Sequence, residues 1–194
     1  MCDGCDDRRC RVISSTNAYR YFCTGDIGVV DARGCLKIVD RKKDLFKGAS
    51  GEYVALSKVE AALKLCPFVE MPMVYGKTGA ASVIALICPQ KPAIETLKGT
   101  MGITDAYGPA LLKRQEIVDA VAKDLAEQCK KSGLHPFETP TAYALVCADD
   151  GNPAWTPEND LLTTTMKLKR PAIAKLHAAE IDECYNAKSK DRQH

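Results

Sequence analysis

Three cysteines near the start of the chain have the closest spacing of the residues that could do chemistry. Cys2, Cys5 and Cys10 cluster among ten cysteines, and Cys2-x2-Cys5 has the spacing of one half of a zinc knuckle. No second Cys-x2-Cys pair follows, and the three histidines lie too far apart to complete a ligand set. The sequence therefore predicts no metal site, and a Cys-rich metal-binding protein is retained only as the weakest hypothesis.

Several other positions could carry chemistry, but residue type alone leaves their roles open. An ionised carboxylate only accepts hydrogen bonds, so Asp26 suits donor groups of a ligand, yet an Asp that follows a glycine is also typical of a turn. The basic run at 41–43 has the composition of a solvated, charged surface. Gly51 fits a turn or the residues that lead into a helix. The functions of these positions can be inferred only from the sequence motifs in which they lie.

Composition limits the class of protein. Lys and Arg number 27 against 25 Asp and Glu, and the resulting net charge of +2 argues against a nucleic-acid partner. The longest uninterrupted apolar run, 142–148, is far shorter than the roughly 20 residues that cross a bilayer, so no transmembrane segment is expected. Seven further cysteines are scattered, mostly in apolar segments where free thiols pack as small hydrophobic groups, which predicts an intracellular, reducing compartment.

The elements that must position the candidate residues begin with short strands. The zone 19–40 predicts a β-hairpin or meander, because apolar triplets alternate there with turn residues. A capping box, Ser57-x-x-Glu60, then predicts a helix that begins at Ser57 and is stopped by Pro67. The apolar face of this helix consists of Val59, Ala62, Leu63 and Cys66.

The rest of the chain alternates strands and helices. Strands are predicted at 69–75 and 82–88, joined by the glycine turn 76–79, followed by a helix from Pro109 to about 131, a strand at 142–147 and a helix at 171–185. The order α, β, β, α, β, α predicts an α+β fold in which helices flank a small mixed sheet, preceded by the short β meander.

Three ordered motifs carry a resemblance to a known family. The segments YFCTGDIG at 21–28 and GCLKIVDRKKD at 34–44 resemble the closing motifs of adenylate-forming acyl-CoA synthetases. The continuation FKGASGEYVA at 46–55 is similar to the long-chain fatty acid branch, and NDLLTTTMKLKRP at 159–171 resembles the last family motif. The resemblance implies that 1–20 is an irregular N-terminal end, 21–42 a remnant of the large domain and 43–194 the C-terminal small domain, which acts as a lid.

The resemblance also implies a reaction. The complete enzyme would use ATP and Mg²⁺ to convert a fatty acid to an acyl-adenylate, and coenzyme A to convert that intermediate to acyl-CoA. Its partners would be fatty acid and coenzyme A, together with a large adenylate-forming domain on which this region docks. The resemblance allows a membrane-peripheral location for the complete enzyme.

Site residues are implied one by one. Asp26 matches the carboxylate that binds the ribose hydroxyls, and Arg41 the residue that reaches the ribose or phosphate of the nucleotide. Gly51 matches the glycine that lets the phosphopantetheine arm approach the backbone. Lys167 matches the lysine that binds carboxylate and phosphate oxygens during adenylation, and Lys43 falls at the hinge about which the small domain turns.

The chain departs from the family pattern in two respects. Thr164 replaces the Pro common in the last motif, which removes a backbone restraint near Lys167. Residues 1–20 contain no equivalent of the phosphate loop, which precedes the matched motifs in the family. We therefore expect the chain to be incomplete as an enzyme, and a non-catalytic module that docks on a full-length synthetase is the alternative hypothesis. Lys169 and Arg170 are expected to be surface companions of Lys167.

Overall fold

The computed structural model describes residues 24–148 and 151–191. Strands are β1 (Asp26–Val30), β2 (Leu36–Arg41), β3 (Leu45–Lys47), β4 (Tyr53–Ala55), β5 (Val69–Tyr75), β6 (Ile84–Pro89) and β7 (Tyr143–Leu145). Helices are α1 (Leu56–Leu63), α2 (Lys91–Thr100), α3 (Pro109–Leu112), α4 (Gln115–Lys131), α5 (Arg170–Leu176) and α6 (Ala178–Asp191), and a 3-10 turn spans Lys42–Asp44.

A three-stranded mixed sheet forms the middle layer of the fold. Its order is β5-β6-β7, with β5 antiparallel and β7 parallel to the central strand. All six residues of β6 are buried, so both of its faces are covered. Ala85 and Ile87 pack into a core shared with α1 and α4, whereas Ile84 and Leu86 pack into a second core shared with α5 and α6. The predicted α+β fold with a mixed sheet between helices is confirmed.

Helix α1 has the predicted apolar face but not the predicted cap. Val59, Ala62, Leu63 and Cys66 are all buried. The helix begins at Leu56, and neither Ser57 nor Glu60 caps it with a side-chain hydrogen bond. The Ser57 amide donates instead to Asp40 Oδ2 at 3.3 Å, and Glu60 Oε1 accepts from the Val74 amide at 2.8 Å. The capping box was therefore wrong, because a neighbouring strand and hairpin provide better partners than the helix itself.

Four features differ from the sequence prediction. The single helix expected at 171–185 is divided at His177 into α5 and α6. The helix expected from Pro109 is broken into α3 and α4, since Arg114 between them is extended and its guanidinium bonds Asp105 at 2.7 Å. Helix α2 was missed because Ile94 is its only fully buried position, which leaves little apolar periodicity. The hairpin β3–β4 was also missed, because its strands have only three residues each.

The first hairpin, β1–β2, confirms part of the predicted meander. Its strands pair antiparallel, and the turn is closed by Asp31 Oδ1, which accepts from the Arg33 and Cys35 amides at 2.9 Å. The strand predicted at 21–23 lies outside the described residues. One face of the hairpin carries exposed apolar side chains, with Val30 and Leu36 directly paired and Ile38 two residues further on. Within the part of the chain described, no helix has the length and apolarity needed to cross a bilayer.

A buried tryptophan links the two segments that flank the loop of Lys167. Trp155 Nε1 donates to His177 Nε2 at 3.1 Å, and both side chains are buried. Burial lowers the pKa of His177, against the opposing effect of Glu180, whose Oε2 lies 3.8 Å from His177 Nδ1. The neutral imidazole is thus the form that the fold accommodates, because only that form can accept the Trp155 N–H.

This hydrogen bond predicts a pH-dependent stability. Because the pKa of His177 is lower in the folded protein, the unfolded chain binds the proton more readily. The contribution of neutral His177 to the free energy of unfolding is therefore complete above about pH 6.5, and it is lost as the pH falls through the pKa of the folded protein. We expect the midpoint temperature of unfolding, followed by the fluorescence of the single Trp, to decrease when the pH is lowered from 7.5 to 5.5. His177→Gln, which keeps an acceptor but does not titrate, should flatten that dependence, whereas His135→Gln should leave it intact. An unchanged dependence in His177→Gln would contradict the assignment.

Candidate anion-binding cleft

An open cleft of about 670 Å³ brings together three of the residues that the sequence singled out. Arg41 and Lys43 line it from the end of β2 and the 3-10 turn, and Lys167 lines it from the loop before α5. The other lining residues are Asp40, Asp44, Ser57, Glu60, Met166, Leu168, Lys169, Arg170 and Pro171. Segments that are more than 120 residues apart in the sequence therefore form one surface.

The loop that carries Lys167 is closed by its own hydrogen bonds. Leu162 and Leu168 form an antiparallel bridge, and the Thr163 amide donates to the Lys167 carbonyl at 2.8 Å. Thr163 Oγ1 accepts from the Lys167 amide at 3.0 Å. Met166 completes the turn with φ of 60°, a left-handed conformation that costs a non-glycine residue about 1 kcal/mol. Thr164 is exposed beside this closed loop, so the loop is restrained without a proline there.

Two ammonium groups in the cleft are free to bind an anion. Lys43 and Lys167 are exposed and form no ion pair or side-chain hydrogen bond with the described residues. Lys169 differs, because its Nζ pairs with the Asp160 carboxylate. Arg41 is also partly compensated, since its Nε lies 3.7 Å from Asp26 Oδ1. The arrangement can therefore bind phosphate or carboxylate groups through Lys43 and Lys167, as uncompensated ammonium groups do.

Asp26 lies beside the cleft rather than in it. It pairs with Arg41 across the β1–β2 ladder, and its carboxylate is about one-third exposed. Its amide donates to Thr24 Oγ1 at 3.1 Å, which holds the start of the strand. Asp26 is thus positioned by the strand and by the Arg41 guanidinium, with carboxylate oxygen still available to donor groups.

Gly51 is not part of the cleft. It lies in the turn between β3 and β4. Asp44, just before β3, and Ser57, just after β4, line the cleft at the opposite end of the same hairpin. The three paired residues of each strand separate the two ends by about 7–10 Å. The described structure therefore separates Lys167 and Gly51. The glycine has φ of 94° and no atom within 4 Å of an added Cβ, so its requirement here is conformational and not steric.

Arg170 is not a surface companion, and that expectation was wrong. Its side chain is only 22% exposed, and its guanidinium bonds Glu60 through both Nη atoms and Asp44 Oδ1 through Nε at 2.9 Å. Burial raises the pKa of Glu60, and the Arg170 hydrogen bonds oppose that effect. Sequence reasoning gave neither carboxylate a role at this site, because Asp44 was only the last residue of a quoted motif and Glu60 was assigned to the capping box.

The cysteine cluster that opened the sequence analysis lies outside the described residues. Within 24–148 and 151–191, no group of three or more His, Cys, Asp or Glu side chains has the arrangement of a metal site. Cys66, Cys88, Cys129 and Cys184 are free and buried, in the two cores that cover the sheet. These four thiols therefore pack as core residues, as the sequence predicted for the scattered cysteines.

Comparisons with known proteins identify the class of fold. No family model matches the chain. The adenylation domain of a carboxylic acid reductase from Segniliparus rugosus, solved with AMP and a co-purified carboxylic acid, is 26% identical with a TM-score of 0.72, over 88% of this chain and 24% of that one. The fold is therefore that of the C-terminal domain of adenylate-forming enzymes.

Sequence relatives narrow the class to one branch. Fatty acyl-CoA synthetase B of Dictyostelium discoideum is 39% identical over 86% of this chain and 24% of its own length. Long chain acyl-CoA synthetase 8 of Arabidopsis thaliana is 36% identical over 86% of this chain and 22% of its own length. The chain is homologous to long-chain fatty acyl-CoA synthetases and corresponds to their C-terminal region. It spans about a quarter of the length of these curated relatives.

The conformation of Gly51 generates a stability prediction. Gly51→Ala should lower the free energy of unfolding by about 1–2 kcal/mol, because alanine must adopt a positive φ there although no atom obstructs its Cβ. Gly99→Ala is the matched control, since Gly99 lies inside α2 with equally open surroundings and should gain about 0.5–1 kcal/mol. Urea unfolding of both variants measures the difference. A neutral Gly51→Ala would contradict the left-handed turn.

Proposed function

We propose that the chain forms the nucleotide-facing lid of a long-chain fatty acid–CoA ligase. The observation that supports this role is the cleft in which the free ammonium groups of Lys43 and Lys167 lie beside Arg41. Fatty acid, ATP and coenzyme A are the substrates that the family relationship favours, and the remaining contacts to them belong to a large adenylate-forming domain. The proposed division places 21–42 with that large domain and 43–194 in the lid.

In the first half-reaction, a carboxylate oxygen of the fatty acid attacks the α-phosphorus of ATP and pyrophosphate leaves. Two anions must approach each other, so a cation between them lowers the barrier most. Lys167 would supply that cation, while Asp26 accepts hydrogen bonds from the ribose hydroxyls and Arg41 contacts the ribose or a phosphate. The uncompensated charge of Lys167 suits this role, and the compensated charge of Lys169 does not.

The described residues fit the phosphates of ATP better than they fit Mg²⁺. Asp40 accepts backbone N–H bonds through both oxygens, and the carboxylates of Asp44 and Glu60 face Arg170. Each of these three carboxylates already accepts from a backbone amide or from the Arg170 guanidinium, which makes it a poorer ligand for a hard cation. The metal that the family relationship implies would therefore take its ligands from the triphosphate and from the large domain.

In the second half-reaction, the thiol of coenzyme A attacks the acyl carbonyl, its proton passes to solvent or a base, and AMP leaves. Gly51 would face the phosphopantetheine arm, and Lys43 would be the hinge that exchanges the Lys167 face for the Gly51 face. The position of Gly51 at the far end of the β3–β4 hairpin supports two separate faces. The exposed apolar face of β1–β2, with Val30 and Leu36, supports the packing of 21–42 against the rest of a large domain.

A second function is a non-catalytic module that docks on a full-length synthetase. The observation that favours it is the exposed apolar face of β1–β2, with Val30 and Leu36, which could pack against an intact synthetase. We propose a reducing compartment for either function, because the four buried free thiols suit one.

The two functions predict different results in one assay. The chain alone should fold, with a cooperative melt by circular dichroism, yet release no pyrophosphate from palmitate and ATP. A chimera in which it replaces the corresponding quarter of Fatty acyl-CoA synthetase B should make palmitoyl-CoA. A folded but inactive chimera, together with altered turnover of the intact synthetase when the chain is added in trans, would favour the docking module instead.

The same chimera tests the two proposed faces. Lys167→Ala should slow adenylation by about 10² to 10³, because it removes a charge that acts in that transition state, and should spare thioester formation from supplied acyl-adenylate. Gly51→Leu should do the reverse, since a branched side chain obstructs the thiol. Lys169→Ala is the matched control and should change neither step by more than about twofold. Equal losses in both half-reactions for Lys167→Ala would overturn its assignment.

A further inference from the structure

Arg170 joins the loop of Lys167 to the turn that contains Lys43. It is the first residue of α5, three positions after Lys167, and its guanidinium reaches Glu60 on α1 and Asp44 in the 3-10 turn. The side chains of Arg170, Asp44 and Glu60 are 22%, 26% and 13% exposed, so the cluster is largely withdrawn from water. Ion pairs in such a partly buried setting stabilise a structure more than exposed ion pairs do.

We infer that Arg170 is a positioning residue, which fixes Lys167 relative to Lys43 and keeps both ammonium groups available. The chemical consequence of this inference rests on the function proposed for Lys167, but the positioning itself does not. No part of the role requires Arg170 to touch a substrate. It acts through the two carboxylates that it holds.

The anchor for this arrangement is the core strand β5. Glu60 Oε1 accepts from the Val74 amide at 2.8 Å, and Glu60 Oε2 accepts from Arg170 Nη2 at 2.7 Å. Val74 is 1% exposed and belongs to the core that α1 covers. The guanidinium is thus fixed to a rigid element, and its planar set of donors satisfies two carboxylates at once, which a lysine ammonium at the same place does less well.

The loop between these anchors is closed on itself by hydrogen bonds. Its N-terminal end is held by Leu161 and Leu162, which are buried in the second core, and its interior is closed by the bonds between Thr163 and Lys167. The orientation of such a closed loop is set by its two ends. At the C-terminal end the Lys169 amide donates to the Leu161 carbonyl at 2.9 Å, while the Lys169 ammonium pairs with the exposed carboxylate of Asp160. Arg170 adds the side-chain anchor that ties this end to α1 and to the 3-10 turn.

Arg170 also controls the charges of the cleft. Asp44, Glu60, Lys43 and Lys167 all line the same space. If Arg170 were neutral, both carboxylates would attract the two free ammonium groups, and the cleft would lose its capacity to bind an anion. Arg170 therefore neutralises Asp44 and Glu60, so that the ammonium groups of Lys43 and Lys167 remain available for a ligand.

Hydrogen exchange of the full chain without nucleotide tests the positioning. Arg170→Gln should accelerate exchange of the Thr163, Lys167 and Lys169 amides by about tenfold, while the amides of β6 change by less than about twofold. A purely structural contribution would accelerate loop and core amides by the same factor. Lys58→Gln is the matched control, because it removes the cation from another buried carboxylate, Glu138, and should leave the loop amides unchanged.

Asp44→Asn provides a second variant if Arg170→Gln fails to fold. It weakens only the link between Arg170 and the 3-10 turn, at the most exposed member of the cluster, and should accelerate loop exchange at nearly wild-type thermal stability. Wild-type exchange of the loop in Asp44→Asn, or uniform acceleration across the chain in Arg170→Gln, would overturn the inference. A failure of the Lys167→Ala chimera would instead overturn the proposed reaction and leave this exchange result unaffected.

Discussion

The buried carboxylate of Glu60 is the constraint on which the arrangement of the cleft depends. A carboxylate withdrawn from water is costly unless hydrogen bonds and an opposite charge compensate it. Here the Val74 amide and the Arg170 guanidinium provide both, so α1, β5 and α5 must meet at one point. Helix α5 can begin only where Arg170 reaches that carboxylate. The preceding loop is thereby directed toward the 3-10 turn, and the cleft forms between them.

The mixed sheet makes this meeting possible because it is covered on both faces. Ile87 and Val74 bury against α1, while Leu86 and Met73 bury against α5 and α6. Helices α1 and α5 therefore lie on opposite sides of one sheet, and Arg170 reaches Glu60 beside the edge strand β5. Arg170 and Glu60 close that edge. The cleft is consequently a product of the layered fold and not of a local motif.

Sequence reasoning predicted those parts of the fold whose information is local or periodic. The buried face around Val59 and the glycine turn of the β5–β6 hairpin required only spacing, and the motifs identified Lys167 without reference to its neighbours. The contacts of Glu60 and Arg170 were not predictable in this way, because their partners lie 110 residues apart. The capping box failed for the same reason, since a side chain with two possible partners takes the one that tertiary packing offers.

The two carboxylates that flank Lys43 differ in what they bind, and the difference bears on the proposed hinge. In the proposed division Asp44 lies on the lid side and binds Arg170, so this contact would lie within one body and survive a rotation. Asp40, on the side of β2, accepts from the Ser57 amide at the start of α1 and would span the hinge. The proposed rotation about Lys43 would break this hydrogen bond, which for a charged acceptor costs about 1.5–3 kcal/mol before water replaces the lost partner. Contacts with a ligand could offset a cost of this size. Loss of the Arg170 cluster, in contrast, would leave the largely buried carboxylates of Asp44 and Glu60 without a cation. The asymmetry would therefore permit the proposed lid to turn while Lys167 keeps its place on it.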